Sequence, residues 1–210
     1  MSIPRNSFCP CGSGLKYKKC CLLKEKLFEP QPAIEELVAA NNYPKSVADV
    51  ICRLHSYIKE NKWQGACHAS CAALYVALVE LGFAPTLCAG EVDAKDFIFD
   101  HSWIELGGKI IDVAVAFTLN DYNISNAVVF GADIFTKRPS NLVYNTPRGR
   151  GLDLDANMAT GIPFCVYMDN FPDAPNGLWS VVEYLLGHKI DLATMRTKYH
   201  GTKWRVGRGA

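Results

Sequence analysis

The sequence predicts an α+β domain with a small metal-organised segment in front of it. Three observations carry this. Four of the nine cysteines fall within residues 9–21. Helical periodicity dominates residues 33–81, and β-forming stretches broken by a double glycine fill residues 86–117. Helices followed by an antiparallel sheet, rather than alternating with strands, define the α+β class.

The cysteines Cys9, Cys11, Cys20 and Cys21 stand as C-x-C-x8-C-C. Two close pairs of soft thiolates can close a tetrahedral zinc shell. Gly12-Ser13-Gly14 between them permits the turn that joins the pairs. Lys16, Lys18 and Lys19 offset the charge of a four-thiolate centre. So short a segment has too little apolar surface to fold alone, so metal supplies its folding energy. This knuckle spans residues 1–28, and FEPQPA at 28–33 reads as a linker.

A helix over 33–40 is expected from Ile34, Leu37 and Val38. A second runs from an N-cap at Ser46 to Lys59, with Val47, Val50, Ile51, Leu54 and Ile58 as its apolar stripe. A third covers 66–81 and ends at Gly82; it is apolar nearly all round, as a central buried helix is. Strands follow at 86–92 and 97–106, and Gly107-Gly108 between SWIEL and KIIDV signals a two-residue hairpin. Short strands are expected at 126–129 and 164–167, helices at 178–186 and 190–199, and an exposed loop at TPRGRGLD. Residues 29–210 form the main domain, with an unassigned extension over about 118–210.

Composition excludes several classes. The chain has 210 residues, 49% hydrophobic and 20% charged, with net charge +1. It can bury a core without disulfides, and no global field selects a partner. No signal-like h-region or membrane span is present in the sequence, so a cytoplasmic protein with reduced cysteines and no membrane partner is expected. Both ends are basic: residues 1–28, and 196–210 with Arg196, Lys198, Lys203, Arg205 and Arg208. Such ends suit an acidic partner such as ribosomal RNA.

The chemistry-bearing stretch is KWQGACHASC. Cys67 falls in the first turn of the central helix, whose partial positive charge favours a thiolate. Its own N–H can serve an oxyanion, and Gln64 can add a side-chain donor. Cys71, one turn deeper, reads as a small buried hydrophobe; His68 is expected on another helix face. The two-glycine turn pairs Leu106 with Lys109, Trp103 with Asp112 and His101 with Ala114. His101 and Asp112 then share a sheet face as diagonal neighbours. Asp112 among Ile110, Ile111 and Val113 is a buried carboxylate in need of a partner, and it can orient His101 as base for Cys67.

Two resemblances add to this. FCPCGSGLKYKKCC resembles the SEC-C motif, which implies a zinc-binding knuckle that contacts protein or ribosome. Residues 63–112 resemble the transglutaminase-like, papain-like superfamily: Gly65-Ala66-Cys67 entering a helix, Leu81-Gly82, His101-Ser102-Trp103-Ile104-Glu105 after a strand, then Asp112. That resemblance implies a central helix packed on an antiparallel sheet, with Cys67 as nucleophile, His101 as base and Asp112 as orienting acid. A cysteine hydrolase or acyltransferase is expected, acting on a peptide or protein acyl substrate with structural zinc as its only cofactor. The rival expectation is an inert adaptor of the same fold that binds through the knuckle and the basic termini.

Overall fold

The computed structural model describes residues 3–9, 12–119, 124–146, 151–172 and 174–207. The chain is α+β. After a 3₁₀ turn at Tyr17–Lys19 come α1 (Cys21–Leu27), α2 (Pro30–Ala40), α3 (Lys45–Glu60) and α4 (Cys67–Glu80). The sheet strands β1 (Thr86–Asp93), β2 (Ile98–Leu106) and β3 (Lys109–Ile111) follow. Then come β4 (Val128–Val129), β5 (Ala132–Asp133) and β6 (Val143–Tyr144). The chain closes with α5 (Leu154–Gly161), α6 (Phe164–Asp169), β7 (Pro175–Gly177), α7 (Leu178–Leu186), α8 (Leu192–Tyr199) and β8 (Arg205–Val206).

The expected linker is shorter than its prolines suggest. Pro30 and Pro32 lie in the first turn of α2, where a missing N–H costs no helical hydrogen bond. Ser46 is not the cap of α3: the helix starts one residue earlier, and Pro44 holds the extended cap position. Its expected apolar stripe is fully buried. Helix α4 buries Ala69, Ala72, Ala73, Leu74, Val76, Ala77 and Leu78 around its circumference. It packs between α3, α7 and the sheet.

The sheet runs β3-β2-β1-β6, and β8 adds to the edge of β1. Antiparallel β1 and β2 pair Gly90 with His101 and Cys88 with Trp103. Their alternate residues divide between two clusters. Leu87, Ala89, Ile104 and Leu106 join α4 in the main core. Cys88, Val92 and Trp103 form a smaller cluster with Phe99, Ile110, Leu142 and Tyr144. Truncating a fully buried core residue such as Leu74 or Ile104 to Ala costs about 2–5 kcal/mol.

Gly107 and Gly108 both have positive φ (59° and 73°), the conformation of the tight hairpin turn. Leu106 faces Lys109 as the turn dictates. The ladder then stops at Ile104–Ile111, so the expected Trp103–Asp112 and His101–Ala114 pairs do not form. Asp112 instead exchanges both backbone hydrogen bonds with Val128 (2.8 and 2.7 Å), and Ala114–Ala116 coils into a 3₁₀ turn.

The C-terminal part departs further from expectation. Residues 164–167 are helical, as the start of α6, not a strand. Pro163 sets their entry, and Phe164 and Met168 are buried one helical turn apart. The expected strand at 126–129 is reduced to the two residues of β4, paired with β5. Helices α7 and α8 occur where expected, α8 starting at Leu192 behind an Asp191 side-chain cap on the Thr194 N–H (2.8 Å). Residues 147–150 of the TPRGRGLD loop lie outside the described residues.

Candidate functional site

Cys67 is the first residue of α4. As such it has no helical partner for its N–H, and it sits in the positive end of the helix dipole. The chain reaches it through Gly65, whose φ of +69° is open to glycine at little cost. The Gly65 N–H donates to the Phe117 carbonyl (2.9 Å), which ties the approach to the segment after the 3₁₀ turn. A methyl group added at Gly65 would lie 2.5 Å from Leu119 Cγ.

His101 comes from the middle of β2 and is buried. Its Nε2 donates to Asp112 Oδ1 at 3.0 Å and lies 2.9 Å from Oδ2. Asp112 is fully buried, and further donors hold its carboxylate: the Val115 N–H at 3.1 Å on Oδ1 and the Tyr144 hydroxyl at 2.8 Å on Oδ2. A buried carboxylate with three donors is satisfied rather than orphaned. Because Nε2 is committed to Asp112, Nδ1 is the ring nitrogen left for the Cys67 thiol, which lines the same cleft as His101.

The electrostatics follow from these contacts. Burial would push the Cys67 thiol up. The charge and hydrogen bond of His101, joined by His68, outweigh it and bring the thiol down to about 5. Burial likewise disfavours imidazolium, yet the charges of Asp112 and Cys67 and hydrogen bonds to both raise His101 to about 10. Thiolate and imidazolium therefore coexist over the pH range between. Cys52 and His55, one helical turn apart on α3, are the internal contrast. Burial, with Glu35 and Asp49 nearby, lifts Cys52 to about 11, and burial beside Lys59 drops His55 to about 4. That pair is a neutral thiol and a neutral ring. It lines a recess of about 380 Å³ between α2 and α3, separated from Cys67 by the His55–Phe117 ring contact (5.1 Å). Cys71 is buried and pushed well above the ordinary thiol range, chiefly by burial; its Sγ lies 3.2 Å from the Ser102 carbonyl.

Cys67 and His101 open into a cleft of about 250 Å³ whose walls include Phe99, Phe117, Leu119 and Ile124. A catalytic thiol needs such an opening, and Cys67 is half-buried rather than sealed. Gln64 is exposed and does not line the cleft; its N–H donates to the Lys62 carbonyl (2.9 Å).

Sequence reasoning missed two neighbours. His68 does not face away: its Nδ1 lies 2.6 Å from Ser102 Oγ, and its ring meets Trp204 edge-on. Tyr144 arrives from a two-residue strand paired with the end of β1, and its ring meets Trp103 at 5.1 Å. No local pattern around Tyr144 announces this.

At the other end of the chain, Phe8 and Lys16 bridge a small hairpin, closed by Cys9 N–H donating to the Leu15 carbonyl (2.8 Å). It brings the sulfurs of Cys9, Cys20 and Cys21 within 4.8 Å of one another. Tetrahedral zinc bonded at about 2.3 Å sets sulfurs about 3.8 Å apart, so a small contraction would seat the ion. The Ser13 hydroxyl donates to Cys20 Sγ (3.1 Å), a bond suited to a thiolate ligand. Cys11, the fourth expected ligand, lies outside the described residues. The donor set fits zinc.

The basic C-terminal end is less available than its composition suggests. Arg196 pairs with Asp169, Lys198 with Glu80 and Arg205 with Glu105. Arg208 lies outside the described residues. Among the described residues, no helix is long and apolar enough to cross a membrane.

Fold and sites together define an α+β body that carries a cysteine knuckle. The knuckle is of a known kind: residues 5–23 match the SEC-C motif. No curated protein and no solved structure matches the chain.

Proposed function

We propose that this protein is a cysteine-dependent acyl-transfer enzyme of transglutaminase-like, papain-like type, with Cys67 as nucleophile, His101 as acid and base, and Asp112 as the orienting group. The observation that carries the reading is the thiol at the head of α4, brought down to about 5 and sharing a cleft with an imidazole whose Nε2 is fixed by a buried carboxylate. A structural core has no use for that arrangement, since a thiol and a histidine bury at lower cost when neutral, as Cys52 and His55 do.

In this reading the Cys67 thiolate attacks the carbonyl carbon of an amide or other acyl compound. The oxyanion is met by the Cys67 N–H at the head of α4, and Gln64, outside the cleft, takes no part. The imidazolium of His101 gives its proton to the leaving amine, which departs and leaves a thioester. Neutral His101 then takes a proton from water, or from an acceptor amine, as that nucleophile attacks the thioester. Water as acceptor gives hydrolysis of a peptide or protein amide; an amine gives transamidation. Asp112 holds the ring in place through its contacts with Nε2.

The knuckle is the structural part of this proposal. Cys9, Cys11, Cys20 and Cys21 would hold zinc, which supplies folding energy to the segment and takes no part in the chemistry. Its surface presents Phe8, 79% exposed, and Leu15, 52% exposed, beside the exposed side chains of Arg5, Lys16, Lys18 and Lys19. That combination suits contact with an acidic protein or ribosomal surface.

The test is covalent. A peptide vinyl sulfone incubated with the zinc-loaded protein adds one equivalent, mapped to Cys67. Cys67→Ala abolishes the adduct and His101→Ala slows it at least a hundredfold. Circular dichroism and zinc content of both variants match the parent protein. Indiscriminate labelling of several cysteines, or labelling indifferent to His101, removes the enzyme reading.

A further inference from the structure

Resting on the catalytic reading above, the structure also assigns a substrate class to the cleft. We infer that it accepts an acyl group bearing a bulky, uncharged apolar side chain, such as a phenylalanyl or leucyl residue, next to the carbonyl that Cys67 attacks.

Three observations lead there. The first is the lining. Phe97, Phe99, Phe117, Leu119 and Ile124 surround the space that Cys67 and His101 share, and no Lys or Arg lies among the described lining residues. A group joined to Cys67 Sγ as a thioester is held in the space that Sγ itself lines, whereas the leaving group departs. The apolar wall therefore contacts the acyl part. The second is exposure. Phe97 is 43% and Leu119 63% exposed, although both lie at the rim of a concave space. Apolar rim residues of this kind gain when an apolar ligand covers them. Leu119 overhangs Gly65, two residues before the nucleophile, so whatever it touches is close to the reacting carbonyl. The third is charge. Either charged head group, a carboxylate or a lysyl ammonium, would give up its hydration against Phe97, Phe99 and Phe117.

The size agrees. About 250 Å³ is below the range of cofactor sites and holds one large side chain with its carbonyl. Moving a Phe or Leu side chain from water into such a space favours it about ten- to hundredfold over one that stays exposed.

The experiment uses the full, zinc-loaded chain and four acetylated aminoacyl vinyl sulfones that differ only in the side chain beside the warhead: Phe, Leu, Lys and Asp. Second-order labelling rates at Cys67 are read by intact mass. Phe and Leu probes are expected to react at least tenfold faster than Asp and faster than Lys. Leu119→Ser and Phe97→Ser, at exposed positions that the fold does not depend on, are expected to cut the Phe rate at least fivefold and to narrow the gap to Lys. Equal rates for all four probes at Cys67, or a faster Asp or Lys probe, overturn the substrate class and leave the catalytic reading standing. Failure of all four probes, while iodoacetamide still alkylates Cys67, overturns the catalytic reading and the substrate class with it.

Discussion

Replacing a slow, general alkylation by a pH-resolved one turns the electrostatics of Cys67 into a crossover that can be measured. With the thiol at about 5 rather than its ordinary 9.0, Cys67 is about nine-tenths ionised at pH 6, whereas an ordinary thiol is ionised to about one part in a thousand. Ionisation alone therefore favours Cys67 about nine-hundredfold. A more acidic thiol also gives a weaker nucleophile; a Brønsted slope of about 0.4–0.5 lowers its intrinsic reactivity about 40- to 100-fold. The product is an advantage of about ten- to twentyfold over an ordinary exposed thiol at pH 6. At pH 8 the ordinary thiol is about one-tenth ionised and the ranking inverts, Cys67 being about four- to tenfold slower. The crossover falls near pH 7. Cys52, pushed up to about 11, and Cys71, raised well above the ordinary range, should lag behind an ordinary exposed thiol between pH 6 and 8. The assay is brief iodoacetamide exposure of zinc-loaded protein, acid quench and peptide mapping. Between pH 6 and 8 the Cys67 rate is expected to stay flat within about twofold while a reference thiol rises about a hundredfold. A Cys67 rate that climbs tenfold per pH unit refutes the ion pair and the reasoning built on it.

Three further outcomes follow from named contacts. Asp112→Asn removes the charge that holds His101 protonated against its burial, so Cys67 should regain an ordinary thiol titration; alkylation at pH 6 should fall at least tenfold, and an unchanged profile would show that Asp112 is only structural. For turnover of any accepted substrate, the active form needs thiolate and imidazolium together: activity should rise as pH passes about 5 and fall as it passes about 10, and a profile rising steadily to pH 9 would contradict this. Cys20→Ser should lower bound zinc from one per chain toward zero, read by elemental analysis, and unfold only the knuckle; undiminished zinc would place the ion elsewhere.

A fourth outcome concerns Tyr144. Its hydroxyl donates to the buried Asp112 carboxylate at 2.8 Å, a bond of a kind worth about 1.5–3 kcal/mol. Tyr144→Phe keeps the ring against Trp103 and should lose about that much in urea unfolding; unchanged stability would show that the Asp112 carboxylate does not need it.

The place of Cys67 at the head of α4 was readable because two strong local signals coincide: a glycine entry at Gly65 and a helix so apolar that it had to be central. Asp112 was readable for the opposite reason. A carboxylate inside Ile110-Ile111-Asp112-Val113 is too costly to bury without partners. Its route to His101 was not readable, because the three-residue β3 hands the chain to Val128 and the meeting is made by side chains rather than ladder register. Tyr144 reaches Asp112 from 32 residues away, through a two-residue strand whose pairing depends on the finished sheet. Residues 164–167, FCVY, misled because aromatic and β-branched composition in so short a window cannot separate strand from helix; the buried pair Phe164 and Met168, four apart, is visible only against α7 and α8. The prolines at 30 and 32 read as linker because residue type was weighed before position, although a first helical turn tolerates both.

The most direct test of the central claim is the ultraviolet thiolate absorbance of the zinc-loaded protein, taken as the difference between the parent and Cys67→Ser so that the knuckle sulfurs cancel, and followed from pH 4 to pH 10. The account predicts one thiolate appearing near pH 5 and persisting through neutrality. A difference signal that stays at zero until pH 8 or above would contradict it, leaving Cys67 a buried thiol at the head of a helix.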